Sequence, residues 1–311
     1  MSSSLKSTIV RARKASMPVF FRTAEHLAPW AGGMVARDLW FTAPPRMTAR
    51  GVPDGGCPFE VQVHGVTARG IAWGEGDTVV YLVHGWGGRG SQLAAYVEPL
   101  VALGYRVVLF DTPSHGDSDA GREGRGRTHG IEFGDTLAAV MERFGPAYAV
   151  VAHSLGAVST YIGLRGGAVS TKRLVLIAPM VEATPYFDMF QQVLGFGPRT
   201  RRAFDRAIDR FVGFPIEEFD ARSIAAAVPR IPTLVVHDLG DLETSPVLAR
   251  QLAEGLPDAR MITTTGLGHR RIVTDPEVVT QVVDFLSQSA GDLSGPDLSG
   301  MIDQKGVEAS A

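Results

Sequence analysis

The residues best suited to chemistry stand together as Ala152-His153-Ser154-Leu155-Gly156. They follow the β-type run Tyr148 to Val151 and precede a helical pattern of small and apolar residues (Val158, Tyr161, Ile162). A serine on such a sharp strand-to-helix turn has an exposed hydroxyl and a strained backbone, so its close neighbours must be small. Ala152 and Gly156 supply that room, with Ala152 standing where a glycine is usual. The helix N-terminus aims N–H groups and a positive dipole end at developing negative charge. Ser154 is therefore the candidate nucleophile for attack on an acyl carbon; the plain alternative is a serine that only caps its helix.

Acyl chemistry sets further requirements. Two backbone N–H donors must face the oxyanion. One falls to Leu155, and the other to the loop His84-Gly85-Trp86-Gly87-Gly88 after the run Thr78 to Val83, with Trp86 as the donor. Alone, that loop reads equally as a glycine-rich connection; no Gly-Lys-Ser/Thr follows, so it is not a phosphate loop. A general base comes from eight histidines: His26, His64, His84, His115, His129, His153, His237 and His269. His269 is favoured, since Gly266-Leu267-Gly268-His269 lets a loop carry an imidazole back over the sheet edge. His84, His115, His153 and His237 also lie at strand ends, and the side chain of His153 should point away from its neighbour Ser154. An acid must orient the imidazole. In His237-Asp238-Leu239-Gly240-Asp241-Leu242-Glu243, Asp241 has the reach, Asp238 is the runner-up that can instead shape the turn, and Glu243 is expected to cap the next helix.

Positioning these groups falls to short apolar runs that alternate with helical patterns. Phe59 to Val66 and Ile71 to Trp73 predict an antiparallel ribbon; Thr78 to Val83, Val107 to Phe110, Tyr148 to Val151, Leu174 to Ile177, Leu234 to Val236 and Arg260 to Thr264 follow. Continuous apolar character predicts strands covered on both faces. Leu137, Val140, Met141 and Phe144 share one helical face ended by Gly145-Pro146, and Asp275-Pro276-Glu277 opens a helix that turns Val278, Val282, Phe285 and Leu286 inward. The pattern predicts an α/β fold, a mostly parallel central sheet with helices on both faces. Residues 180–228 interrupt it with aromatics (Tyr186, Phe187, Phe190, Phe196, Phe204) and arginines, and are read as a helical lid insertion.

The order Ser154, Asp241, His269 completes a resemblance. HGWGG (84–88), DTPSHGDS (111–118), AHSLG (152–156), HDLGD (237–241) and GLGH (266–269) resemble the motifs of the α/β-hydrolase fold family, serine-nucleophile branch, that of esterase/lipase-like bacterial hydrolases. The likeness spans roughly residues 59–288. It implies a serine hydrolase with a Ser154-His269-Asp241 triad, an oxyanion hole at Trp86 and Leu155, and no cofactor or metal. A serine at position 154 is unlike the branches that use aspartate there. The DTPSHGDS loop is structural in the family, so Asp111, His115 and Ser118 receive no catalytic role. The implied substrate is a carboxylic ester of short to medium chain; thioester, lactone or carbon–carbon bond hydrolysis suits the same triad, and a non-catalytic ligand-binding protein is the alternative class.

Composition bounds the rest. With 45% apolar and 20% charged residues in 311, the chain can bury a large core, and a net charge of −3 disfavours nucleic acid as a partner. The lone Cys57 permits no internal disulfide and suits a reducing, cytoplasmic setting, although an exported bacterial protein could also lack disulfides. Charge is uneven: residues 1–50 hold eight basic and two acidic side chains. Lys6, Arg11, Arg13, Lys14 and Arg22 interleave with Ile9, Val10, Phe20 and Phe21, which suits weak contact with an anionic membrane, although a packed helix with a solvated basic face is the favoured reading. The expected organisation is a basic helical extension (1–55), a core in two parts (56–179 and 229–288) flanking the insertion, and a disordered tail (289–311) rich in Ser, Gly and Asp.

Overall fold

The computed structural model describes residues 17–44, 48, 50–124 and 126–288. The expected disordered tail and the basic residues Lys6, Arg11, Arg13 and Lys14 lie outside them. The strands are β1 (Cys57–Val63), β2 (Val66–Trp73), β3 (Val79–Val83), β4 (Arg106–Asp111), β5 (Ala147–His153), β6 (Thr171–Ile177), β7 (Thr233–Asp238) and β8 (Ala259–Thr264). The helices are α1 (17–27), α2 (Pro29–Trp40), α3 (Val97–Ala102), α4 (Gly130–Phe144), α5 (Leu155–Arg165), α6 (Thr184–Leu194), α7 (Pro198–Val212), α8 (Ala221–Ala227), α9 (Pro246–Gly255), α10 (Gly268–Arg271) and α11 (Pro276–Ser287). These residues fall into two compact units.

The larger unit, the described residues of 43–181 and 221–288, holds one eight-stranded sheet in the order β1-β2-β4-β3-β5-β6-β7-β8. The β1–β2 and β2–β4 pairs are antiparallel and the other pairs parallel. β3, buried at every residue, has apolar side chains on both faces, as a strand between two helical layers must. β1 is one-sided: Phe59, Val61 and Val63 are buried and the residues between them exposed. The ribbon breaks earlier than the apolar run suggests. His64 and Gly65 both take positive φ (50° and 84°), the mirror-image two-residue turn that matches strand twist, so Val66 opens β2.

Helix ends follow local chemistry. Asp275 accepts the N–H groups of Glu277 and Val278, Pro276 fills the first position of α11, and Val278, Val282, Phe285 and Leu286 are buried in the sheet core with Leu82, Val151 and Val236. Gly145 ends α4 at φ 96°, a conformation that suits glycine. The order around β3 matters most for function. From β3 the chain moves outward to β4, and from β5 it moves the opposite way to β6, β7 and β8. A reversal of this kind opens a crevice at the carboxyl ends of the two central strands.

The smaller unit comprises the described residues up to Thr42 together with Glu182–Asp220. This differs from the division read from sequence, which kept the N-terminal extension (1–55) and the insertion (180–228) apart. α2 and α7 pack so closely that a Cβ at Gly33 would lie 2.6 Å from the backbone of Ala203 and Phe204. Trp40 meets Phe187 edge-on at 4.7 Å, Phe41 stacks on Phe211 at 4.4 Å and Phe21 meets Phe196 at 5.3 Å. The insertion's aromatics thus serve the unit's own core. Glu25 accepts the N–H groups of Arg199 and Thr200 (both 2.9 Å) at the N-terminal turn of α7. α8, counted with the insertion from sequence, instead packs on α5 and α9 of the sheet unit. No described helix is long and apolar enough to cross a membrane.

Candidate active site

Ser154 follows β5 directly and precedes α5, with φ 53° and ψ −120°. This region strains a residue with a Cβ by roughly 1–3 kcal/mol. The neighbouring strand end holds it there: the Ser154 N–H donates to the Ile177 carbonyl, and its own carbonyl accepts from Met180 N–H, both at 3.1 Å. Crowding explains the small residues. A Cβ at Gly156 would lie 2.6 Å from the His84 carbonyl oxygen, and one at Gly85 would lie 2.8 Å from the Ser154 Cβ. Ala152 is buried in β5, opposite Val83 and Leu176, where its methyl group is accommodated. Gly85→Ala is expected to push its loop off Ser154 and lower kcat about 10²-fold, the cost of misplacing reacting groups by about 1 Å; steady-state kinetics check this, and an unchanged kcat contradicts it.

His269 lies 3.0 Å from Ser154 Oγ through Nε2 and 2.8 Å from Asp241 Oδ2 through Nδ1. An Nδ1–H donated to Asp241 leaves the Nε2 lone pair facing the serine hydroxyl. His269 sits in the short helical turn α10 rather than in an open loop. His153 turns away from Ser154, donating from Nε2 to the His269 carbonyl at 3.0 Å with the two rings 4.7 Å apart. Burial and the nearby His269 push the His153 imidazole down to about 3, and burial pushes His84 down to about 4.

Asp241 is buried and surrounded by donors. Oδ1 accepts the N–H groups of Glu243 (2.7 Å) and Thr244 (3.0 Å). Oδ2 accepts from His269 and from the Thr244 hydroxyl (2.8 Å), with His237 Nε2 at 3.4 Å. Burial alone would raise the Asp241 pKa, but hydrogen bonds from His237 and His269 prevail and hold the carboxyl far below the usual carboxylate range. Asp238 does not reach His269. Its carboxylate accepts from Gly240 N–H (2.9 Å), the Thr264 hydroxyl (2.8 Å) and Leu267 N–H (2.9 Å), tying the turn to the strand that leads to His269. Glu243 does not cap the helix either: Ser245 caps α9, and Glu243 pairs with Arg270 at 3.0 Å. Thr244, not singled out from sequence, belongs to the site; its spacing three residues after Asp241 is the signal that was there to read.

The backbone N–H groups of Trp86 and Leu155 donate to no group among the described residues. The neighbouring Gly87 N–H is already committed to His115 Nε2 at 3.0 Å. The loop after β4 is held from within: Asp111 accepts Gly90 N–H and Asp117 N–H (both 2.7 Å), and Ser118 Oγ donates to the Asp111 carbonyl (2.6 Å). Among the described residues no group of three or more His, Cys, Asp or Glu is arranged to hold a metal ion.

The depressed pKa values carry a stability prediction. Between about pH 6.5 and their folded values, His84 and His153 take up protons only when the chain unfolds, so stability falls as pH falls through that window. Each group contributes about 1.4 kcal/mol per pH unit. Asp241 adds a loss of the same sign below the usual carboxylate range. Urea midpoints measured from pH 7 to pH 4 should drop steadily, whereas a flat profile would contradict the burial of neutral imidazoles.

A doubly wound sheet with a strained serine on its central strand-to-helix turn, hydrogen-bonded through histidine to a buried aspartate, defines the α/β-hydrolase class of folds. Residues 80–282 match the alpha/beta hydrolase family, and the chain belongs to that family. Solved structures agree on the fold. An esterase from Pyrococcus furiosus is similar with a TM-score of 0.60 and 18% identity, over 79% of this chain and 97% of its own. A putative lipase from Acinetobacter baumannii gives 0.56 and 17%, over 75% and 91%. A thioesterase domain from the curacin biosynthetic pathway gives 0.54 and 15%, over 75% and 99%. At such identities the likeness is one of fold. No curated protein sequence matches the chain.

Proposed function

We propose that this protein is a serine hydrolase that cleaves a carboxylic ester, or a related acyl compound, through an acyl-enzyme. The observation that carries the reading is the unbroken relay from Ser154 Oγ through His269 to Asp241, at 3.0 and 2.8 Å. In this reading Ser154 Oγ attacks the acyl carbon while His269 Nε2 takes its proton. The tetrahedral oxyanion receives the N–H groups of Trp86 and Leu155. His269 then returns the proton to the departing alkoxide, leaving Ser154 acylated. Water, deprotonated by His269, releases the acid and regenerates the serine. Asp241 holds the imidazole tautomer and stabilises its cation throughout. No cofactor is needed.

The insertion (180–228), which the chain enters after β6, keeps the role of a lid in this reading. A cytoplasmic setting belongs to the same reading and rests on the single, exposed Cys57. The test is rapid mixing of the protein with p-nitrophenyl esters from acetyl to octanoyl, a thioester and a lactone. A burst of product equal to the enzyme present, with the acyl mass on Ser154 after acid quench, is expected for at least one ester. Turnover of none above the Ser154→Ala background would overturn the ester assignment.

A further inference from the structure

We propose that His84 and His115 are paired positioning residues that aim the oxyanion donor, the N–H of Trp86. The inference rests on the serine-hydrolase reading for its kinetic consequence but not for its geometry. The two histidines stand in different loops, 84–88 after β3 and 111–118 after β4, and each accepts a backbone N–H from the other loop. His115 Nε2 accepts Gly87 N–H at 3.0 Å, and His84 Nε2 accepts Thr112 N–H at 3.1 Å. Both acceptor nitrogens must be bare, so each ring carries its proton on Nδ1. That proton has a partner in each case: His84 Nδ1 donates to the Gly85 carbonyl at 2.8 Å, and His115 Nδ1 to the Pro113 carbonyl at 3.1 Å. The Thr112 hydroxyl bridges the rings, 3.3 Å from His84 Nε2 and 3.2 Å from His115 Nδ1. Both rings are buried, 5.0 Å apart, and each meets Phe133 at 5.1 Å.

What this strap fixes follows from the planarity of the peptide bond. The Gly85 carbonyl and the Trp86 N–H belong to one planar trans unit and point in opposite directions. By holding the carbonyl, which also accepts the Gly88 N–H at 3.0 Å, His84 helps to set where the Trp86 N–H points. The next unit carries the Trp86 carbonyl and the Gly87 N–H, which His115 holds. Both peptide planes flanking Trp86 are therefore pinned by an imidazole. The glycines make the path available: Gly87 has φ 66°, and a Cβ there would lie 2.3 Å from Pro44 Cγ. The same strap decides which donor stays free, since Gly87 N–H is consumed and Trp86 N–H is not. A residue chosen only to fill the core would need none of this tautomer agreement.

Two measurements test the strap. Imidazole ¹⁵N spectra of the wild type should show both His84 and His115 as Nδ1–H tautomers; an Nε2–H tautomer on either overturns the proposal whatever the enzyme's activity. The second is the kinetics of Ser154 phosphonylation by a fluorophosphonate, with Ser154→Ala as the unlabelled control and cooperative melting as the check on folding. His115→Asn ends short of Gly87 and is expected to lower the inactivation rate constant about 10²-fold with little change in the half-saturating concentration. His115→Gln reaches with Oε1 to the place of Nε2 and is expected to recover most of that loss. A folded His115→Asn labelled at the wild-type rate, or a His115→Gln as slow as Asn, overturns the positioning role. An unlabelled wild type would instead overturn the serine-hydrolase reading and leave the tautomer result standing on its own.

Discussion

Ser154→Gly is expected to abolish turnover, by roughly 10⁶-fold where a triad serine is removed, and yet to unfold at higher urea than Ser154→Ala. Both variants lose the nucleophile and the hydrogen bond to His269. They differ by the Cβ methyl group, and so in the backbone conformations open to them. At φ 53° and ψ −120° a Cβ is strained by roughly 1–3 kcal/mol, while glycine visits the region freely. Against this stands the extra entropy glycine loses on folding, about 0.5–1 kcal/mol. The balance favours Ser154→Gly over Ser154→Ala by about 1 kcal/mol, the reverse of the usual Gly–Ala ranking. Urea unfolding of the two variants decides it. An alanine variant as stable as the glycine variant would mean that the turn stores no strain.

Asp241→Asn is expected to lower kcat about 10⁴-fold, because an amide facing His269 Nδ1 favours the wrong tautomer. Asp238→Asn should leave kcat within about tenfold of wild type, since Asp238 makes no contact with His269. Its effect falls on stability. Asp238 accepts from Leu267 N–H, Gly240 N–H and the Thr264 hydroxyl, and an amide can satisfy only part of that set, at a cost of about 1–3 kcal/mol. Parallel kinetics and urea titrations of the two variants separate the roles. A larger loss of kcat in Asp238→Asn would move the acid to that residue.

What could be read in the sequence was what local chemistry dictates. The runs read from the sequence foretold all eight strands of the sheet, the inner parallel ones because strands buried on both faces need apolar residues throughout. Ser154, His269 and Asp241 were legible because each lies just past a strand end, where glycines and turn residues mark a loop that must reach. The hairpin break at His64-Gly65 was missed, as the apolar pattern runs through it and only the positive φ angles reveal the turn. The contacts of His84 and His115 with each other's loops were missed for another reason. His115 meets Gly87, and His84 meets Thr112, across 28 positions of chain, and no periodicity encodes such a meeting. The union of the N-terminal helices with Glu182–Asp220 is longer in range still. Gly32-Gly33 inside a helix was its one visible sign, since adjacent glycines weaken a helix unless another backbone must come close.

Intact-mass analysis after exposure to a fluorophosphonate reads out whether Ser154 is an activated nucleophile facing an oxyanion hole. Such a probe needs both features and almost no knowledge of the natural substrate. One phosphonyl group per wild-type chain is expected, and none on Ser154→Ala. A folded wild type that stays unlabelled, or a Ser154→Ala variant that labels equally, would contradict the nucleophile assignment and favour a non-catalytic ligand-binding role for this fold.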